Sequence, residues 1–147
     1  MKRMKKALLG ALLVLLAVAL CACGNQENAE TQAQAGAGRM VNLTALSQSM
    51  RYAQAYNMLH IAPEEYIGST VRVKGPHSAI FNEATRKNDH YITVSDSTVC
   101  CYVDLPFQLA SGQTYPERDA EVEIEGTFQS YQDAGVTYYY LANAVVR

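Results

Sequence analysis

Two adjacent cysteines, Cys100 and Cys101, are the residues of this chain whose side chains offer the widest chemistry. A thiol can bind a soft metal, exchange with a disulfide or act as a nucleophile once it ionises. Neighbouring residues on a strand point to opposite faces, and a disulfide ring between adjacent cysteines needs strained geometry. We therefore expect two unlinked thiols, one buried and one partly exposed, with a thiol-based redox role as an alternative.

Other groups that often carry catalysis lack partners at a useful spacing. The histidines are scattered without a CxxC or HxxxH motif, so the sequence predicts no metal site. Glu121, Glu123 and Glu125 share one face of a predicted strand, where like charges at period two indicate a solvated face that resists pairing with another chain. No motif joins a serine or cysteine nucleophile to a histidine and an acid. We expect neither enzymatic activity nor a cofactor.

Basic and aromatic side chains point outward from the first three predicted strands of the domain. Arg72 and Lys74 lie on the first strand, Tyr91 on the second and Tyr102 on the third. Such a combination binds single-stranded nucleic acid or oligosaccharide by stacking and charge. We expect these four residues to form a possible ligand face. The alternative is an ordinary solvated surface, on which tyrosine and lysine also pair across strands.

Three consecutive tyrosines lie near the end of the chain. Because side chains alternate along a strand, Tyr138 and Tyr140 should share one face and Tyr139 the other. Exposed tyrosines commonly mark interfaces. We expect Tyr138 and Tyr140 to form a possible interface, with packing against an N-terminal helix as the alternative.

The N-terminal residues have the pattern of a signal peptide. Lys2, Arg3, Lys5 and Lys6 form a basic start without acids, and residues 7–22 carry no charge. The apolar run is shorter than the roughly 20 residues that a membrane-spanning helix needs. We therefore expect residues 1–22 to be a signal peptide.

The end of this run, Leu20-Cys21-Ala22-Cys23-Gly24, resembles the lipobox of bacterial lipoproteins. The resemblance implies that Cys23 is lipidated before cleavage, and that Cys21 leaves with the signal peptide because bulky Leu20 precedes it. Two acyl chains, each contributing about 0.8 kcal/mol per buried CH₂, hold a protein stably at a membrane. We expect a lipid-anchored protein on the extracytoplasmic side of the cell membrane. An ordinary secretory signal or an uncleaved anchor is the alternative.

Residues 24–39 are mostly small or polar and cannot bury enough surface to offset their ordering entropy. We expect lipidated Cys23 and a disordered tether over residues 23–39. Four of the twelve Lys and Arg lie in the predicted signal peptide, so the mature chain keeps eight against fourteen acids, a net charge of about −6. An acidic chain opposes the counterion release that drives nucleic-acid binding, which argues against nucleic acid as the ligand.

The remaining pattern predicts one small, mainly β domain over residues 40–147. Residues 43–59 favour a helix, with a strand as the alternative, and residues 62–68 favour a short helical turn. Alternation and turn residues predict five strands, at residues 70–81, 90–94, 99–109, 121–131 and 136–146. The connector at residues 111–119 has room for one helical turn. The expected interior residues are Val71, Val73, Ile92, Val94, Val99, Cys101, Val103, Leu105, Val122, Ile124, Phe128, Tyr139 and Leu141.

Five strands with a short element between the third and the fourth predict a five-stranded OB-like Greek-key barrel, preceded by a short helical segment. PEEYIG at residues 63–68, VRVKG at 71–75, Cys100-Cys101 and VEIEGTF at 122–128 resemble the corresponding segments of uncharacterised lipoproteins from Gram-positive bacteria, which join a lipobox to such a domain. The resemblance brings no activity with it. Some members carry another cysteine in the last strand, where this chain has its three tyrosines, so no shared disulfide or metal site is implied.

These features predict a non-enzymatic binding module displayed at the cell membrane. We expect it to recognise a protein, a peptide or an envelope glycan through the outer face of the barrel. The alternative is an extracellular domain that binds single-stranded nucleic acid, which the acidic charge opposes.

Overall fold

The computed structural model describes residues 38–147 of the chain. The predicted signal peptide, the lipidation predicted at Cys23 and nearly all of the predicted tether lie outside these residues. No helix in the described part of the chain is long and apolar enough to cross a membrane.

Six β-strands and one short α-helix make up most of the described chain. The strands are β1 (Met40–Asn42), β2 (Thr70–Asn82), β3 (Lys87–Ser95), β4 (Tyr102–Leu109), β5 (Glu121–Asp133) and β6 (Val136–Val146). The α-helix is α1 (Gln48–Tyr56). The mainly β class is confirmed. The sequence analysis missed β1, because three residues are too few to show an alternating pattern.

The helical segment predicted at residues 43–59 is confirmed, and it consists of three short pieces. A 3-10 turn (Leu43–Ala45) precedes α1, and a π-helical turn (Asn57–Ile61) follows it. Leu43, Ala55 and Met58 are the fully buried side chains along this segment. The stripe that packs against the sheet is therefore narrow, which explains why the apolar periodicity was ambiguous in the sequence.

The second predicted turn is a 3-10 helix (Pro63–Tyr66), and the chain leaves it at Gly68 with a φ of +83°, which glycine adopts without strain. The Tyr66 hydroxyl accepts hydrogen bonds from Gln54 Nε2 at 2.7 Å and from Asn57 Nδ2 at 2.8 Å. These bonds tie the turn to the helical segment before the chain enters β2.

The strands hydrogen-bond in the order β1-β2-β3-β4-β6-β5, and β5 also pairs with β2, so five strands form a ring of bonded neighbours. Within this ring β4 and β6 run parallel, and the other neighbours are antiparallel. β1 lies outside the ring and pairs in parallel with the first residues of β2. The sheet therefore has six strands, one more than predicted.

The ring closes because β2 changes partner along its length. Pro76 is the last residue of β2 that pairs with β5, and His77 is the first that pairs with β3. A Cβ at Gly75 would lie 2.3 Å from the backbone oxygen of Thr93 in β3. Glycine is therefore needed here, since a side chain would force β2 and β3 apart.

The predicted interior is largely confirmed. Nine of its residues are buried: Val71, Val73, Ile92, Val94, Val103, Leu105, Ile124, Phe128 and Leu141. Val122 and Tyr139 are partly buried against them. The prediction is wrong for Val99 and Cys101, which are exposed. The reason is that β4 begins only at Tyr102 and Val99 has a φ of +58°, so these residues do not follow the alternation of a strand.

The connector between β4 and β5 contains no helical turn, although the sequence left room for one. Its last part is fixed to β2, because the His77 amide donates to the Ala120 carbonyl and the Asp119 amide donates to the His77 carbonyl. The Tyr115 hydroxyl accepts a hydrogen bond from the Leu109 amide at 3.2 Å. The connector therefore lies along the ring and places Tyr115 beside β4.

Replacing Gly75 by alanine should lower the free energy of unfolding by about 1–3 kcal/mol, the usual cost of adding atoms to a packed site. The reason is the contact that the new Cβ would make with the Thr93 backbone. Urea unfolding followed by circular dichroism measures the change. Ser130→Ala, at an exposed strand position, is the control and should change stability by less than about 0.5 kcal/mol. Equal stability of Gly75→Ala and the wild type would contradict the close approach.

Candidate functional site

Two β-hairpins reach beyond the ring and enclose a groove of about 920 Å³. Residues 78–82 of β2 pair only with β3, and residues 129–133 of β5 pair only with β6. The groove is lined by both hairpins, by part of β4 and by Tyr115. We call it the tyrosine groove, after Tyr91, Tyr131, Tyr138 and Tyr140, which line it.

Cross-strand pairing on the β5–β6 hairpin arranges the tyrosines of the groove. Tyr131 lies opposite Tyr138, and their rings stack with centroids 5.2 Å apart. Tyr140 meets Tyr131 edge to face at 5.6 Å. Tyr131 and Tyr138 keep 51% and 44% of their surface exposed, so they present ring area to a ligand. The result is an aromatic cluster on one side of the groove, with two rings stacked and the third edge-on.

Polar groups from the β2–β3 hairpin face the same groove. Asn82 Nδ2 donates to Asp89 Oδ2 at 2.8 Å, which holds the carboxylate in place. Asn82 Oδ1 accepts from the amides of Ala84 and Thr85, so this side chain also shapes the turn. The other polar or charged lining residues are Thr85, Lys87, Asn88, Gln108 and Asp133.

The hydroxyls of Tyr91 and Tyr131 stay protonated at neutral pH. Burial and the Asp89 carboxylate raise the pKa of Tyr91 above its ordinary value. The same two causes raise the pKa of Tyr131. Both hydroxyls can therefore donate as well as accept hydrogen bonds when a ligand enters.

His90 and Tyr115 line the groove, and the buried His77 stacks with both of them. His77 is 2% exposed, and its Nε2 lies 3.0 Å from His90 Nδ1. The His90 and Tyr115 rings stack with centroids 3.5 Å apart. The Glu117 carbonyl, 3.1 Å from His77 Nδ1, can only accept, so His77 Nδ1 carries its hydrogen. In the neutral pair His77 Nε2 then accepts from His90 Nδ1, which leaves His90 Nε2 without a hydrogen.

The four residues of the predicted ligand face do not form one patch. Arg72 donates to Glu125 Oε2 from Nε at 2.8 Å and from Nη2 at 2.6 Å, so its charge is used across the β2–β5 pair. The pKa of Glu125 is lowered by its hydrogen bonds from Arg147 and Arg72. Lys74 is exposed and lines a separate depression of about 270 Å³ beside α1.

Tyr91 and the predicted interface residues are brought together instead. Tyr91, Tyr138 and Tyr140 line the tyrosine groove, whereas Tyr102 is 66% exposed at the start of β4 and does not line it. The sequence analysis missed Tyr131 and Asp89 as site residues. The signal for Tyr131 was present in the hairpin pairing, because Tyr131 must lie opposite Tyr138 when residues 134–135 form the turn.

The predicted thiol pair lies in the turn between β3 and β4, away from the residues that line the groove. Cys100 and Cys101 are free and exposed, so the expectation that one thiol would be buried is wrong. Their Sγ atoms lie 3.5 Å apart, and Asp96 Oδ2 lies 3.5 Å from Cys100 Sγ. The hydrogen bond with Cys100 is the largest cause that raises the pKa of Cys101. The sequence analysis missed Asp96, whose signal is its position at the start of a turn that ends in two cysteines.

The domain should lose stability as the pH falls below about 6.5, the ordinary pKa of histidine. Burial, and then the nearby His77, lower the pKa of His90 in the folded state, although Asp89 acts in the opposite direction. Between these two pKa values, His90 therefore binds a proton in the unfolded chain but not in the folded chain. The free energy of unfolding is unaffected by this histidine above about pH 6.5, and it falls as the pH drops towards the lowered pKa.

Urea unfolding between about pH 5 and 7 measures this decline, since the carboxylates with lowered pKa lose their contribution only at lower pH. His90→Gln should flatten the profile because glutamine does not titrate. His60→Gln, at an exposed position on the helical segment, is the matched control and should keep the wild-type slope. An unchanged slope in His90→Gln would assign the decline to another group.

No protein-family model matches this chain, and no curated protein or solved structure matches it. Its function has to be inferred from its own residues and their geometry.

Proposed function

We propose that this protein is a lipid-anchored binding module that holds a neutral envelope glycan in the tyrosine groove. The observation that carries the proposal is the convergence of six tyrosines with amide and carboxylate side chains between two hairpins. Clefts of this size, with flat rings and a few placed polar groups, are typical of ligand sites.

The finer fold that we propose is an OB-type barrel. In that fold, ligands such as oligosaccharides bind on the face of the second and third strands, between the loop after the first strand and the loop after the fourth. Counted from β2, the tyrosine groove lies over β3 and β4 and between the β2–β3 and β5–β6 hairpins. The ring of five bonded strands, with its connector between the third and the fourth, also supports this assignment.

A glycan fits the chemistry of the groove better than a nucleic acid does. Tyrosine rings offer flat apolar faces for sugar rings, and their hydroxyls and the nearby amides offer hydrogen bonds to sugar hydroxyls. The charged lining residues include one cation, Lys87, and two carboxylates, Asp89 and Asp133. This balance repels a polyanion, so single-stranded nucleic acid is the weaker candidate.

Binding without catalysis is the activity that we propose. The residues that line the groove include no serine or cysteine beside the histidine pair. His90 Nδ1 is engaged with His77 Nε2, so one side of this imidazole is used to hold the stack together. A peptide is an alternative occupant of the groove.

Titration with neutral β-1,4-linked N-acetylglucosamine oligosaccharides tests the proposal by calorimetry. We expect saturable binding that weakens about tenfold or more in Tyr131→Ala and in Tyr138→Ala. The reason is that the loss of one stacked ring costs about 1–3 kcal/mol in comparable base-stacking sites.

Tyr102→Ala is the matched control, because Tyr102 is an exposed strand tyrosine that does not line the groove. It should bind like the wild type. If no glycan bound, or if Tyr102→Ala lost as much affinity as Tyr131→Ala, the proposed site would be wrong. Tighter binding of oligothymidylate than of any glycan at low salt would favour the nucleic-acid alternative.

The proposed location rests on the N-terminal sequence alone. The basic start, the short apolar run and the lipobox-like segment ending at Cys23 support lipid anchoring at an extracytoplasmic membrane surface. Cys23→Ala should abolish labelling by an alkyne fatty acid and leave the protein unprocessed. Cys21→Ser is the control and should keep both labelling and cleavage. Labelling that persisted in Cys23→Ala would contradict the anchor.

A further inference from the structure

The turn between β3 and β4 gathers three metal-ligating side chains that the tyrosine groove does not use. The ligand atoms of Asp96, Cys100 and Cys101 all lie within 4.8 Å of one another. We infer that this turn binds a thiophilic divalent cation of the zinc class, with Cys100 Sγ, Cys101 Sγ and an Asp96 carboxylate oxygen as its three protein ligands.

The distances between the ligand atoms match the edges of a tetrahedral zinc site. With Zn–S near 2.3 Å and Zn–O near 2.0 Å, tetrahedral angles require an S···S edge of about 3.8 Å and an S···O edge of about 3.5 Å. The observed distances are 3.5 Å from Cys100 Sγ to Cys101 Sγ and 3.5 Å from Cys100 Sγ to Asp96 Oδ2. These two edges therefore match within a few tenths of an ångström, and the third, from Cys101 Sγ to the Asp96 carboxylate, is no longer than 4.8 Å.

The backbone of the turn is what brings both thiols to one side. On a regular strand two adjacent side chains point to opposite faces. Here Val99 adopts a φ of +58°, which is costly for a β-branched residue. The Asp96 amide donates to the Cys101 carbonyl at 3.0 Å and closes the turn. Cys101 thus leaves the strand pattern and joins Cys100 and Asp96.

Neighbouring polar groups hold the acidic ligand and the turn in place. The Thr98 hydroxyl donates to Asp96 Oδ2 at 2.8 Å, and the Thr98 amide donates to Asp96 Oδ1 at 3.2 Å. Gln48 Nε2 at the start of α1 donates to the Asp96 carbonyl at 2.8 Å. Outer groups of this kind orient the ligands of metal sites. Thr98 therefore holds the Asp96 carboxylate, and the helix holds the Asp96 backbone.

The donor set selects the class of cation. Two thiolates and one carboxylate suit zinc or cadmium, whereas magnesium and calcium require shells of oxygen ligands. Three protein ligands leave the fourth tetrahedral position for water or for a ligand from outside. On binding, each thiol releases its proton to solvent as its metal–sulfur bond forms, so one cation should displace about two protons.

Titration with Cd²⁺, and then with Zn²⁺ in competition with a chromophoric chelator, tests the inference. The full chain in detergent micelles, with Cys21→Ser and Cys23→Ser so that Cys100 and Cys101 are its thiols, is kept reduced with a phosphine. We expect one Cd²⁺ per chain, marked by a thiolate-to-metal absorption band. Calorimetry in two buffers of different ionisation enthalpy should show release of about two protons.

Four variants separate the ligands from the group that positions them. Cys100→Ser and Cys101→Ser should each lower Zn²⁺ affinity at least about a hundredfold and weaken the absorption band. Asp96→Asn should lower affinity about tenfold or more while the band persists, because both thiolates remain. Thr98→Val keeps the shape of the side chain but removes its hydroxyl, and should cost about 10–100-fold.

Asp119→Asn is the matched control, since Asp119 is an exposed aspartate in another turn, and it should bind as the unsubstituted background does. Circular dichroism should be unchanged in every variant, because the substitutions lie in an exposed turn and leave the fold intact. The inference is overturned if no stoichiometric Cd²⁺ binds, if one cation is shared by two chains, or if Asp96→Asn binds Zn²⁺ as tightly as the control. Binding of glycan is measured separately, so each site can fail without the other.

Discussion

The crossing of β2 from β5 to β3 is the constraint on which the rest of the structure depends. One strand must satisfy its backbone hydrogen bonds with two different partners in succession, and the change occurs within Gly75, Pro76 and His77. Proline has no amide hydrogen to place in the ladder, and glycine allows the Thr93 backbone to approach. Because β2 makes this crossing, it bonds to β5 as well as to β3 and closes the ring. The apolar faces of the five strands of the ring then enclose one core.

Both candidate sites follow from how strands enter and leave this ring. After the crossing, β2 continues with β3 as a two-stranded hairpin, and β5 and β6 continue in the same way. The tyrosine groove is the space that these extensions enclose. The metal-ligating turn arises where the chain leaves β3 for β4, and α1 holds that turn through Gln48 and through a Ser49–Ser97 hydroxyl contact of 2.9 Å. The two sites share β3 and β4 but no ligand residue, so their chemistry is independent.

Charge is used differently along the two sides of the molecule. Between β2 and β5, Arg72 and Arg147 both pair with Glu125, so these cations serve the pairing of strands and are not offered to a ligand. At the groove, burial and Asp89 raise the pKa of Tyr91 and of Tyr131, and the charged lining residues are mostly acidic. This arrangement suits an uncharged, hydroxyl-rich ligand. The turn, with two thiols and a carboxylate, suits a cation.

The sequence by itself determined the local elements of this domain, because alternation and turn residues act over a few neighbours. The strands from residue 70 onward, the helical segment at residues 43–59 and nine interior side chains were all predictable in this way. Tertiary structure alone decided which side chains from distant segments of the chain lie together. Arg72 was drawn into an ion pair, and Tyr91 was joined with Tyr131 and Tyr138 from a hairpin some forty residues later. Tertiary structure also placed Cys101 on the same side as Cys100. The left-handed backbone at Val99 breaks the strand alternation from which the sequence predicts the face of each side chain.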